Sequence, residues 1–136
     1  MNFLFTYLSV ATTFVAIDMI WLKTMAERLY RPVLGDILRP EPNLTAAAFF
    51  YLLYPIGLIG FAVLPAQYEG NALRALTSGV MFGCFTYATY DLTNQATLRN
   101  WSTTLTIVDI GWGSFLAGIS AWLGYLVAQR MGLEHG

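Results

Sequence analysis

The segment FLFTYLSVATTFVAIDMIWL, residues 3–22, decides the fold of this chain. It is about as long as the apolar run that a helix needs to cross a hydrocarbon core of about 30 Å. Asp18 is its only charged side chain. A carboxylate inside such a helix costs several kcal/mol unless it is paired, hydrated or neutralised. The segment therefore predicts a membrane-spanning helix that carries a functional site near its C-terminal end.

The composition of the whole chain agrees with a lipid environment. Of its 136 residues, 57% are hydrophobic and only 11% are charged, whereas about a quarter of the residues of a soluble domain are charged. The length suits a single membrane domain over residues 1–136. The net charge is −1 and there is no basic run, which argues against nucleic-acid binding.

Three further segments, residues 46–64, 72–90 and 103–128, have the length and apolarity of a membrane span. With residues 3–22 they make four predicted spans. They predict an all-α fold, an integral membrane four-helix bundle. The first span has no Lys or Arg before its apolar run, which argues against a cleaved signal peptide. The first connection is long, and its apolar positions Met25, Leu29 and Val33 predict a short interfacial helix.

Basic residues set the predicted orientation of these spans. The first and third connections contain five basic residues: Lys23, Arg28, Arg31, Arg39 and Arg99. The opposite side, made of both termini and the second connection, contains two: Arg74 and Arg130. The positive-inside rule therefore puts the long first connection in the cytoplasm and both termini outside.

The alternation of four spans brings three aspartates to one half of the membrane. Asp18 lies near the end of the first span and Asp91 closes the third. Asp109 lies about two turns into the fourth span. Because all three of these span ends are on the side of the first connection, the acids share one layer whichever way the protein is oriented.

Aromatic and polar side chains join the acids in this predicted layer. Trp21 and Trp112 each follow an aspartate by three residues, so indole and carboxylate share a helix face. Phenol and indole groups donate hydrogen bonds that lower the cost of burying a carboxylate. The candidate ligand- or proton-binding residues are Asp18, Trp21, Tyr54, Tyr87, Tyr90, Asp91, Asn94, Asp109 and Trp112.

The acids, and the aromatic residues near the span ends, also have structural interpretations. Trp101 and Tyr51 fit interfacial anchors, and Asp91 fits a helix terminator that caps a turn with Asn94. Asp18 and Asp109 lie within apolar runs, where the alternative to function is a hydrogen-bonded tie between helices. An ion pair of Arg99 with one acid is a further structural alternative.

Several other kinds of site have little support. The lone Cys84 excludes an intrachain disulfide framework, and His135 stands alone near the C-terminus. No His/Cys metal cluster or Ser-His-Asp set is present, so neither a metal centre nor a cofactor is predicted. Three aspartates around a magnesium ion stay open as one alternative. Small-residue ridges such as Gly79-x-x-x-Gly83 serve packing within the chain and a homodimer equally well.

Three groups of residues carry a resemblance to a known family, and they are Asp18-x-x-Trp21, the run Tyr90-Asp91-Leu92-Thr93-Asn94-Gln95-Ala96-Thr97-Leu98, and Trp101 with Asp109-x-x-Trp112-Gly113. The chain resembles, over essentially its whole length, an uncharacterised bacterial family of predicted membrane proteins, domain of unknown function 2177. The resemblance implies a small four-span protein of the bacterial inner membrane. It implies no reaction, ligand or catalytic residue.

Three functions fit this pattern. The first is binding, with or without transport, of a small hydrophobic or cationic ligand by the acidic and aromatic layer. The second is a membrane enzyme that acts on a lipid or isoprenoid by carboxylate acid/base chemistry. The third is an accessory subunit of a membrane complex, in which the acids only fix the register of the helices. Whether the protein is an enzyme stays open at this point.

Overall fold

The computed structural model describes residues 2–38, 41 and 43–135, with side chains described through residue 131. It is all-helical over that part of the chain. The long helices are α1 (Phe3–Met25), α3 (Leu44–Leu58), α5 (Ala72–Thr97) and α6 (Thr103–His135), and the short ones are α2 (Arg31–Leu34) and α4 (Leu64–Glu69). The prediction of an all-α membrane bundle is confirmed.

Asparagines begin three of the long helices. The side chains of Asn2, Asn43 and Asn71 accept hydrogen bonds from backbone N–H groups in the first turns of α1, α3 and α5. Such caps satisfy donors that the helix itself leaves unpaired. Gly70 ends α4 in the left-handed conformation, with φ of +62°, which glycine adopts without steric cost.

Two π-helical turns interrupt the regular helices. One, Ala26–Tyr30, joins α1 to α2, and the other, Ile59–Val63, joins α3 to α4. A 3₁₀ turn, Gly35–Ile37, follows α2. The first connection is therefore helical over residues 26–37, as its apolar spacing predicts. A π turn widens the helix and changes the direction in which later side chains point.

Helices α5 and α6 form the most extensive contact between any two elements. They pack very closely, since a Cβ added to Gly83 would lie 2.3 Å from the carbonyl oxygen of Gly113. A Cβ on Gly79 would meet Ala117 at 2.8 Å. Small residues allow such approach of helix backbones. The small-residue ridges are thus used within the chain, and the homodimer stays a prediction.

Three stretches are long and apolar enough to cross a membrane: Phe3–Ile37, Leu44–Glu69 and Thr103–Met131. Helix α5 is not among them, although its 26 residues extend about 39 Å. Its hydropathy is lowered by Arg74, by Asp91 and by the polar residues of its last turns. The described residues thus contain three apolar candidate spans rather than the four expected, and the crossing of α5 stays a prediction.

The end of α5 differs from the sequence expectation and changes the interpretation of Asp91. The helix was expected to end at Tyr90, but it continues to Thr97. Asp91 therefore lies inside the helix and is fully buried, so it is not a helix terminator. In these last turns, the hydroxyls of threonines 89, 93 and 97 donate to carbonyl oxygens of the preceding turn, so the polar side chains are satisfied within the helix.

Candidate functional site

Asp18 is the buried acceptor for donors from two other helices. Its side chain is 6% exposed. Tyr51 on α3 donates its hydroxyl at 2.6 Å, and Trp112 on α6 donates its indole N–H at 3.1 Å. Each carboxylate oxygen receives one of these bonds. Asp18 thus ties α1 to α3 and α6, and its charged form is well solvated by protein donors.

Asp109 is held by a chain of two hydrogen bonds that begins on α1. The hydroxyl of Tyr30 donates to Asp109 at 2.5 Å, and the indole of Trp21 donates to that hydroxyl oxygen at 2.9 Å. Asp109 is 5% exposed. A donor that is itself hydrogen-bonded is polarised and strengthens the next bond in the chain. The π turn after α1 carries Tyr30 to this position.

The two tryptophans connect the acids of opposite helices. Trp21 and Trp112 stack with ring centroids 4.3 Å apart and planes 7° from parallel. The indole of Trp112 on α6 donates directly to Asp18 on α1. The indole of Trp21 on α1 donates to Tyr30, which donates to Asp109 on α6. The sequence pattern suggests that an acid and its own tryptophan share a face. The structure instead pairs them crosswise.

Asp91 is the least satisfied acid of the three. It is fully buried, and neither of its oxygens has a hydrogen-bond donor in the described part of the chain. Its neighbour on α6 is Asp109, since Asp91 lies one turn beyond Tyr87 and Asp109 lies one turn before Gly113, on which Tyr87 packs. Asp109 is in turn close enough to Asp18 for their charges to interact. The structure therefore brings the three predicted acids together.

Two predicted tyrosines lie beside the acids, between α3 and α5. Tyr54 shares a hydrogen bond of 2.8 Å with Thr86, and its ring lies edge-on to that of Tyr87. Tyr87 lies near both Asp18 and Asp109. Its ring packs on Gly113, where an added Cβ would lie 2.1 Å away. Tyr87 therefore belongs to the wall of the acidic layer.

The remaining predicted residues form an outer group at the end of α5. Tyr90 is half exposed and packs edge-on against Trp101. Trp101 is itself buried and donates to Thr106, which donates to Gln95. Asn94 accepts the backbone N–H of Leu98 through its own carbonyl oxygen and does not contact the acids in the described network. Asn94 is thus separate from the layer.

Two residues of the layer escaped the sequence prediction. By sequence, Tyr51 fits an anchor at the membrane interface, and no pattern singles out Tyr30. In a regular helix, the nine residues from Trp21 to Tyr30 make about two and a half turns, which would put them on opposite faces. The π turn Ala26–Tyr30 reduces that angle, and the Trp21 indole reaches the Tyr30 hydroxyl at 2.9 Å. A π turn leaves no clear signal in a sequence.

No basic side chain neutralises the acids among the described residues. The ion pairs found there are Arg31–Glu27 and Arg74–Glu69, both exposed. Arg99, which the sequence offered as a partner, is exposed. Within the same described part, the three aspartates do not form a group that could hold a metal ion by themselves, so the three-aspartate magnesium geometry is not present.

The chain also matches a known family profile, whose description is "predicted membrane protein", domain of unknown function 2177. The match covers residues 3–126. The chain belongs to this family. Comparison with curated proteins and with solved structures finds no match. Family membership and the apolar helices together establish a membrane protein, and the family description assigns no activity to the buried layer.

Proposed function

We propose that this protein binds a small cationic ligand in the layer formed by Asp18, Asp91 and Asp109. The observation that carries the proposal is the burial of three neighbouring carboxyl groups without a basic partner in the described chain. Burial in a medium of low dielectric makes the charged form of each acid costly. A cation or a proton that enters the layer offsets that cost.

The arrangement of the aromatic rings favours a compact ligand over a bulky apolar one. The stacked rings of Trp21 and Trp112 fill the space between α1 and α6. Two shallow surface depressions are lined by apolar and threonine side chains of α3 and α1, and neither includes an acid. A bulky apolar ligand, or a lipid substrate of an enzyme, would have to separate the indole rings to reach the carboxyl groups.

We also propose that the layer lies toward the cytoplasmic face of a bacterial inner membrane, with both termini outside. The support is the positive-inside rule. Lys23, Arg28 and Arg31 lie on the same side as the acids, while Arg74 lies at the other end of α5. Arg39, which enters the sequence count, lies outside the described residues. Four crossings are part of this proposal.

The binding proposal is tested by proton release from purified protein in weakly buffered detergent. Sodium, potassium, tetramethylammonium and tetraphenylphosphonium ions are added in turn, and the pH is followed with a dye. At least one cation should release protons, because it competes with the protons that neutralise the layer. Asp36→Asn is the matched control, since Asp36 is an exposed aspartate in the first connection.

Two results would overturn the binding proposal. If none of the four cations releases protons from the wild-type protein, the layer does not bind them. If the double variant Asp18→Asn with Asp109→Asn releases as many protons as Asp36→Asn, the release comes from elsewhere. Uptake of the active cation into proteoliposomes then separates transport from binding alone.

The enzyme and accessory-subunit hypotheses stay predictions with their own tests. An enzyme that acts on a lipid or isoprenoid predicts a lipid composition that changes on deletion and is not restored by Asp109→Asn. An accessory subunit predicts that asparagine at all three acids lowers thermal stability and leaves complex assembly intact. Binding of a small cation predicts neither pattern.

A further inference from the structure

We infer that Asp91 and Asp109 form a carboxyl pair that shares one proton and exchanges it for one compact monovalent cation. The inference rests on the proposed cation binding and assigns it to one pair within the layer. It also gives Asp18 a different role: Asp18 holds the helices together, whereas Asp91 and Asp109 exchange the proton for the cation. The argument has four parts: the contact, the position of the proton, the role of Asp18 and the charge balance.

The contact between the two carboxyl groups requires a proton. Asp91 is fully buried, and its oxygens find no donor among the described residues. Its neighbour on α6 is the carboxyl of Asp109, because Tyr87, one turn before Asp91, packs on Gly113, one turn after Asp109. Two ionised carboxylates have no donor between them and repel each other, whereas an acid and a carboxylate form one strong hydrogen bond.

The proton belongs on Asp91. Asp109 already accepts the hydroxyl of Tyr30 at 2.5 Å, and a donor of this kind stabilises the ionised acceptor. Asp91 has no comparable donor in the described structure. In the inferred resting pair, Asp91 therefore carries the proton and donates it to Asp109, which also accepts the hydroxyl of Tyr30. Tyr87 on α5 lies beside the pair, whereas Tyr90 lies farther out, half exposed against Trp101.

Asp18 has a different environment. Its two oxygens accept the hydroxyl of Tyr51 and the indole N–H of Trp112. Both bonds favour the ionised form, and both would weaken if Asp18 were protonated. Asp18 is thus a hydrogen-bonded acceptor that ties helices together. Its charge acts on the pair through its proximity to Asp109.

The exchange balances in atoms and charge. The O–H bond of Asp91 breaks and its proton leaves to water on the side of the first connection. The two carboxylates then carry a charge of −2, and the monovalent cation between them restores the net charge of −1 that the protonated pair had before. No electron is transferred. Because the carboxyl groups start in contact, the space that opens between them suits a compact ion such as sodium better than a substituted ammonium ion.

The test measures how many protons sodium releases from the full-length protein in detergent. The wild type and Asp36→Asn should each release one proton per chain, and Asp91→Asn should release none. Asp18→Asn should keep this stoichiometry while sodium affinity falls by roughly tenfold, because one neighbouring negative charge is removed. Tetramethylammonium should release fewer protons than sodium.

Asp91→Asn is a suitable variant because its amide can donate to Asp109 as the acid does. Its fold is therefore expected to survive, which circular dichroism and gel filtration check. Infrared spectra supply a second readout that needs no ligand. The carbonyl band of a buried protonated carboxyl should be present in the wild type and absent from Asp91→Asn.

The outcomes separate this inference from the proposed function. If sodium or a larger cation releases protons equally from the wild type and Asp91→Asn, the layer binds cations but the pair does not exchange, and the inference is wrong. If the infrared band survives in Asp91→Asn, the proton is not on Asp91 and the inference is also wrong. If no cation releases protons from the wild type, the proposed function fails as well.

Discussion

The indole of Trp112 on α6 donates to Asp18 on α1 at 3.1 Å, and the same indole stacks on Trp21 of α1. One side chain thus satisfies a buried charge and joins two helices through its ring. The indole of Trp21 donates to the hydroxyl of Tyr30, which donates to Asp109 on α6. A disturbance at one acid is therefore transmitted to the other through two rings and three hydrogen bonds.

Replacing Trp112 with phenylalanine should destabilise the bundle. Trp112→Phe keeps an aromatic ring against Trp21 but removes the donor to Asp18, and a lost bond to a buried charge costs about 1–3 kcal/mol. Unfolding in detergent, followed by circular dichroism, measures the change. Trp122→Phe is the matched control, since Trp122 lies on the exposed side of the same helix. Equal stability of the two variants would contradict this role of Trp112.

The hydroxyl of Tyr30 should hold the helical part of the first connection against the bundle. Tyr30→Phe removes the donor to Asp109 and the acceptor of Trp21. Backbone amides of residues 26–37 should then exchange with deuterium faster, because their local opening becomes less costly. Tyr68→Phe, at a fully accessible position, should leave the exchange unchanged. Protection of residues 26–37 that equals the wild type would refute the prediction.

Two glycines of α6 should respond in opposite ways to alanine. At Gly113 a Cβ would overlap the ring of Tyr87 at 2.1 Å, and such overpacking costs about 1–3 kcal/mol. At Gly111 nothing lies within 4 Å, so Gly111→Ala should raise stability by up to about 1 kcal/mol. Thermal unfolding of the two variants in one detergent tests the pair. A Gly113→Ala protein as stable as Gly111→Ala would show that Tyr87 is not packed as described.

Single-cysteine labelling should reveal whether α5 crosses the membrane. In a Cys84→Ala background, Asp36→Cys, Tyr68→Cys and Asn100→Cys place one thiol in each connection. Four crossings predict that positions 36 and 100 react from one side and position 68 from the other. If α5 does not cross, positions 68 and 100 will react from the same side. Membrane-impermeant reagents applied to cells and to inverted vesicles distinguish the two patterns.

The common layer of the acids could be predicted because it depends on the order of the helices. Asp18 lies seven residues before the end of α1, Asp91 six before the end of α5, and Asp109 six after the start of α6. At 1.5 Å per residue, all three lie about 9–11 Å from the same end of the bundle. Apolar length and alternation were enough to anticipate this.

The crosswise pairing could not be predicted, because it depends on local geometry that a pattern does not encode. The π turn brings Tyr30 onto Asp109. The length of α5 was also misjudged. Asp91 and Asn94 suggest a turn, but the helix continues to Thr97 and Asp91 is buried within it. The polarity of a side chain is thus a weak signal for a helix end in a bundle.

The measurement that tests the central claim most directly is the affinity for sodium as a function of pH. Tryptophan fluorescence can report it, since Trp21 and Trp112 lie at the acids. One-for-one exchange predicts that sodium affinity falls by about tenfold for each unit of pH below the point at which the carboxyl pair takes up its proton. The affinity should become constant above that point. An affinity that is the same at every pH, or no sodium-dependent change at any pH, would contradict the account.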